Sequence, residues 1–126
     1  MHIFSEVGLC RNVKFPLCQN LPYNKTEMPN YFSHTTVNQA VASFNGYIDL
    51  IKSDCSAILP KYLCGLHFPR CSKERNLTKP CRSTCQTIKY SCEPELQKLQ
   101  LQPNIFDCDT LPTGEECLLV EEKGNL

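Results

Sequence analysis

No apolar run in this sequence approaches the ~20 residues of a membrane span, so no transmembrane helix is expected within it. The stretch from Met1 to Cys10 also lacks the apolar core of a signal peptide. The chain therefore reads as a mature ectodomain or an excised domain, with its export signal and any anchor outside it. Charge excess is missing too: 13 basic residues balance 13 acidic ones, and no run of Lys or Arg is long enough for phosphate binding, which argues against nucleic acid as a partner. No C-x2-C pair occurs, and His2, His34 and His67 are scattered rather than spaced as ligands, which argues against zinc. None of those histidines stands in a recognisable constellation with a nucleophile and an acid, so no enzyme is expected. Internal repeats, low-complexity tracts and dividing linkers are absent, which leaves one domain.

What the sequence has in abundance is cysteine. Ten in 126 residues is an even number at the density of disulfide-built secreted domains. Two N-x-T sequons, at Asn24 and Asn76, add to the extracellular reading and mark both as expected glycan acceptors. Three of the cysteines organise the rest. If Pro80–Cys92 is helical, Cys81, Cys85, Ile88 and Cys92 form one inward stripe. Each sulfur can then tie the helix to a different part of the chain. Pro80 suits the first helical position, Thr78 is the expected cap, and Pro94 stops the helix or begins the next.

The clearest helical periodicity runs from about Thr36 to Ile51. Thr36-x-x-Gln39 has the form of a capping box, and Val37, Ala40, Val41, Phe44, Ile48 and Ile51 repeat as a core stripe. Ser43, Gly46, Tyr47 and Leu50 form a second track, with Leu50 roughly 120° from the stripe's centre. A mid-helix Gly costs about 1 kcal/mol relative to Ala, so Gly46 marks either a close approach of something to the backbone or an ordinary surface glycine.

Between these helices, Asp54 and Ser56 are expected to cap a short apolar piece from Ala57 to Cys64, with Pro60 in a first turn or at a kink. Gly65 and Pro69 suggest an irregular loop from Cys64 to Cys71. A short strand is expected near Arg11–Phe15, and an exposed loop over Leu21–Thr26. Tyr31 and Phe32 read as packing residues, His34 as a helix-entry residue and His67 as a loop contact. Leu99–Pro103 alternates and reads as extended. The expected fold is mainly α with very short β-strands.

The order of cysteines at 10, 18, 55, 64, 71, 81, 85, 92, 108 and 117 is similar to that of the Frizzled-type cysteine-rich domain. So are the words around them: Pro16-Leu17-Cys18, Leu21-Pro22-Tyr23-Asn24-Lys25-Thr26, Met28-Pro29-Asn30, His34-x-Thr36, Pro69-Arg70-Cys71 and Pro80-Cys81-Arg82-Ser83-Thr84-Cys85. The resemblance covers residues 10–117, leaving 1–9 as an N-terminal extension and 118–126 as a tail or linker. It implies a small disulfide-rich domain with five bridges: Cys10 to Cys71, Cys18 to Cys64, Cys55 to Cys92, Cys81 to Cys117, and Cys85 to Cys108.

The resemblance also implies an extracellular domain, secreted or part of a cell-surface protein, that binds lipid-modified Wnt proteins and acts in Wnt signalling as receptor or co-regulator. The acyl groove would have Gly46, Tyr47, Asp49 and Leu50 on one wall and Leu99, Leu101 and Pro103 on the other. Leu66, His67, Phe68 and Pro69 would form a second ligand contact. The implied partners are a Wnt or another secreted protein, with homodimer formation a further option. No cofactor is implied beyond a fatty acyl (palmitoleoyl) group brought by the ligand. Gln102-Pro103 stands where the receptors carry Trp-Pro, and Asp49 stands on the groove wall. The alternative function is therefore a protein-interaction module of a larger protein, without lipid binding.

Overall fold

The computed structural model describes residues 5–73, 79–114 and 117–118. Its elements in chain order are the strands β1 (Arg11–Asn12) and β2 (Lys25–Thr26), then the helices α1 (Val37–Asn45), α2 (Ile48–Lys52), α3 (Leu59–His67) and α4 (Arg82–Lys98). Short 3-10 turns lie at Pro16–Cys18, Pro103–Phe106 and Cys108–Thr110. β1 and β2 pair antiparallel, with Arg11 opposite Thr26 and Asn12 opposite Lys25.

α4 is the hub. Cys85, Ile88, Cys92 and Leu96 are buried along it, and its sulfurs reach three different segments through Cys85–Cys108, Cys55–Cys92 and, from the N-cap, Cys81–Cys117. Cys10–Cys71 and Cys18–Cys64 tie the N-terminal strands to the chain around α3. These five pairs are the ones the resemblance implies. Pro80 lies one residue before the N-cap, bridged to Leu118, rather than at the first helical position. Pro94 sits inside the helix. Its missing N–H falls on the exposed face, where water can take the freed carbonyl. The expected cap Thr78 lies outside the described residues.

α1 begins as expected. The Gln39 N–H donates to Thr36 Oγ1 at 3.2 Å, the Gln39 side chain accepts from the Thr36 N–H, and Glu6 Oε1 accepts from the Val37 N–H at 2.6 Å. The helix does not continue to Ile51. At Gly46 and Tyr47 the amides turn back to Ser43 and Phe44, three residues earlier, and α2 starts afresh. Each such step turns the chain about 120° rather than 100°. Leu50 is thereby swung inward and fully buried, while Ile48 and Ile51 move to the half-exposed edge. Gly46 is a helix terminus, and among the described residues nothing but its own turn, Ser43 O at 3.2 Å, would meet an added Cβ. No close approach explains it.

α3 departs most from expectation. The segment after Cys64 stays helical to His67, with Pro60 in the first turn. Ile58 is its N-cap without a side-chain hydrogen bond, so neither Asp54 nor Ser56 caps it. Gly65 is required by packing: a Cβ there would lie 3.1 Å from Pro80 Cγ and 3.8 Å from Leu118 Cδ2. After α4 the chain is not extended. Gln100 takes a positive φ of 56°, and the Leu101 N–H bonds back to Leu96 O, a Schellman turn that ends the helix without glycine.

Residues outside the outermost cysteines join this fold. Glu6 caps α1 as above, Val7 bridges Met28, and the Leu118 N–H donates to Lys79 O at 2.6 Å.

Candidate ligand-binding site

Tyrosine hydroxyls hold the segment that follows α4. Tyr62 Oη donates to Ile105 O, and Tyr31 Oη donates to Asp107 O at 3.3 Å and meets Thr110 Oγ1 at 2.8 Å. Tyr47 Oη donates to Gln102 O and Asn104 Oδ1, both at 3.2 Å. Each phenol packs its ring against the core and places its polar tip on an acceptor of this segment. Burial raises the pKa of Tyr31, Tyr47 and Tyr62 alike, so these remain donors across the physiological range.

Tyr47 therefore spans the two walls of the expected groove. Gly46 and Asp49 are exposed on the helix side, and Pro103 is exposed on the other. Tyr47 and Leu50 are core residues rather than groove surface, at 6% and 0% exposure. Apolar surface is offered instead by half-exposed Ile48 and Ile51 on α2 and by half-exposed Leu99 and Leu101 beyond α4. Ile48 and Ile51 escape the sequence reading because a continuous periodicity assigns them to the core. The one signal of the break is Gly46 itself.

Leu66, His67, Phe68 and Pro69, the expected second contact, are all buried, Leu66 and His67 in the last turn of α3. His67 lies among Phe32, Phe44 and Tyr47, with ring centroids 4.6, 5.3 and 6.3 Å away. Its Nδ1 lies 2.8 Å from Leu63 O, which can only accept, so Nδ1 carries the proton and Nε2 accepts from Ser43 Oγ at 2.9 Å. Burial lowers its pKa to about 4, with the Leu63 carbonyl opposing and nearby His34 adding to the shift. Asn30 organises the approach to α1: its Oδ1 accepts from the Phe32 and His34 N–H groups, and its Nδ2 donates to His67 O and His34 Nδ1. His34 is thus a packing residue at the helix entry, with its pKa also lowered by burial.

Among the described residues, no cluster of His, Cys, Asp or Glu could hold a metal ion, and no helix is long and apolar enough to cross a membrane. Asn24 is exposed, whereas Thr26 of the same sequon is buried; Asn76 lies outside the described residues.

The Fz domain family model matches residues 10–115. The chain belongs to the Fz domain family. It is 34% identical over 119 residues to Protein mom-5 of Caenorhabditis elegans, an alignment covering 94% of this chain and 21% of that protein. It is 35% identical over 106 residues to Secreted frizzled-related protein 4 of Macaca mulatta, covering 82% of this chain and 31% of the relative. The chain thus spans about a fifth to a third of these relatives' length. A crystal structure of the Smoothened CRD shares the fold, with a TM-score of 0.55 at 21% identity, over 89% of this chain and 99% of that one. Two of the five bridges of this Fz domain hold the surface beside Tyr47: Cys55–Cys92 fastens the chain just after α2 to α4, and Cys85–Cys108 fastens the segment that Tyr47 grips.

Proposed function

We propose that this Fz domain is an extracellular ligand-binding domain for lipid-modified Wnt proteins. In this reading the acyl chain lies along the surface between α2 and the turn after α4. The supporting observation is the pair of 3.2 Å contacts from Tyr47 Oη to Gln102 and Asn104, which bring together two walls far apart in sequence. Ile48, Ile51, Leu99 and Leu101 supply the apolar contact, and Tyr47 and Leu50 support it from beneath. Each methylene buried contributes about 0.8 kcal/mol. Ten cysteines all engaged in bridges fit an oxidising, extracellular setting, and a relative that is secreted by name fits it too. Exposed Asn24 is the better placed of the two proposed glycan acceptors; a mass unchanged by glycosidase would count against it.

The test is binding of a palmitoleoylated peptide against its unacylated form. Ile48→Glu should keep the fold at a modestly lower thermal midpoint, because the side chain is partly buried against the core, and weaken acylated binding by about tenfold or more, since a carboxylate must be desolvated beside the chain. Equal binding of both peptides, or of both proteins, would overturn the acyl reading. A second reading, protein binding without lipid, draws on exposed Asp49 and on the hydroxyl strap of Tyr47 across the walls. It requires that a Wnt or other secreted ligand bind equally well with and without its acyl group.

A further inference from the structure

A cavity of about 610 Å³ lies between the β1–β2 hairpin and the outer side of α1, and none of its lining residues is a wall of the surface described above. Its volume is within the range of small-molecule sites, roughly 300–1,000 Å³. The lining is polarised. Val37 and Val41, one helical turn apart on α1, face it together with Phe15, and Phe15 is seated edge-on against Phe44 with centroids 4.9 Å apart. The strand side presents Lys14, Lys25 and Thr26.

The charges on this rim do not cancel. Arg11 is paired with Glu6 at 2.5 Å, and the other Glu6 oxygen is engaged by the Val37 N–H. Lys14 and Lys25 have no ion-pair partner among the described residues. Thr26 adds an independent mark: it is 2% exposed, and its Oγ1 is a buried side-chain oxygen with no hydrogen-bond partner. A buried hydroxyl left unmatched is costly, and a site that needs a donor is a common reason for keeping one.

We infer that this cavity binds a monoanionic amphiphile, a carboxylate on a medium-length apolar body. The carboxylate lies at the strand side between Lys14 and Lys25, where a turn of the Thr26 side chain brings its enclosed hydroxyl onto it, and the apolar body lies over Val37, Val41 and Phe15. A neutral or cationic amphiphile of the same length fills the same apolar end but leaves both lysines and the Thr26 hydroxyl unmatched. The site is independent of the acyl surface beside Tyr47 and stands or falls separately.

The test is a titration of the whole chain with octanoate, octanol and octylammonium, followed by NMR at the Val37 and Val41 methyls and the Lys25 and Thr26 amides. Octanoate should bind saturably at these positions, octanol more weakly and octylammonium least. Lys14→Glu/Lys25→Glu, at two exposed positions, should weaken octanoate about tenfold or more and leave octanol unchanged. Thr26→Val, made with Asn24→Gln in both proteins so that neither carries the sequon, should weaken octanoate several-fold at an equal or higher thermal midpoint. Equal affinity for octanoate and octanol, insensitivity to the lysine reversals, or shifts confined to Ile48, Leu99 and Leu101 would each overturn the inference.

Discussion

α1 with α2 and α3 are helical stretches of similar apolar content with opposite surroundings. The first pair lies at the surface: α1 buries only Ala40 and Phe44, and α2 only Leu50. α3 buries seven of its nine residues, from Leu59 to His67. The difference shows what hydrophobic periodicity can report. A helix half in water must alternate polar and apolar faces, so its start and its stripe can be read. A helix covered on all sides has no polar face to mark it, and its glycine and proline then resemble loop signals.

The sharpest way to probe this contrast is to place the same charge on either side of α2. Leu50→Glu should cost several kcal/mol and prevent folding or lower the thermal midpoint steeply, since the carboxylate enters a site with 0% exposure. Ile51→Glu, one residue on and only partly buried, should cost less, about 1–2 kcal/mol. A larger loss of thermal midpoint from Ile51→Glu than from Leu50→Glu would mean that α1 and α2 are one continuous helix after all.

Acid should next separate α3 from the surface helices. The pKa of His67 is lowered to about 4 in the fold, so in the range from the ordinary value near 6.5 down to about 4 the unfolded chain binds the extra proton. Stability from this group is complete above pH ~6.5 and lost progressively towards pH ~4, by about 3 kcal/mol. His34, also lowered, acts in the same direction. Denaturant midpoints measured across this range should fall with pH in the parent and stay flatter in a folded His67→Gln protein.

The two helical glycines give the smaller effects. Gly65→Ala forces a methyl to within 3.1 Å of Pro80 Cγ and should destabilise by roughly 1–3 kcal/mol. Gly46→Ala, at a φ of −65° that any residue adopts, gains backbone stiffness but sets its methyl 3.2 Å from Ser43 O, so the net change should lie within about 1 kcal/mol of zero. A loss as large as that of Gly65→Ala would mean that something beyond its own turn meets that backbone.

The contrast also accounts for how much could be read before the structure. The capping box at Thr36 and the sulfur stripe of α4 were legible because each is a local pattern on a helix with one face in water. The reach of α3 to His67 was not, and neither was the αL turn at Gln100, which uses a residue that gives no sign of a positive φ. At the candidate site, the family resemblance implied that the segment around Tyr47 faces the one after α4, and Tyr47 does bond to Gln102 and Asn104, but which side chains are exposed there was not legible. Whether Leu50 or Ile51 faces inward depends on two hydrogen bonds at Gly46 and Tyr47 that shift from four residues back to three.

The bridge topology has a mechanical consequence. A pull applied beyond Cys10 and Cys117 would pass through Cys10–Cys71 and Cys81–Cys117, bypassing the loops that those bonds close. Between them the shortest covalent path is the backbone from Cys71 to Cys81, a contour of roughly 35 Å at full stretch, and Cys55–Cys92 joins the same two parts in parallel. While its sulfurs stay bonded, the domain behaves under tension as a nearly inextensible link. Force on a bound ligand would then reach whatever adjoins the domain with little slack taken up inside it.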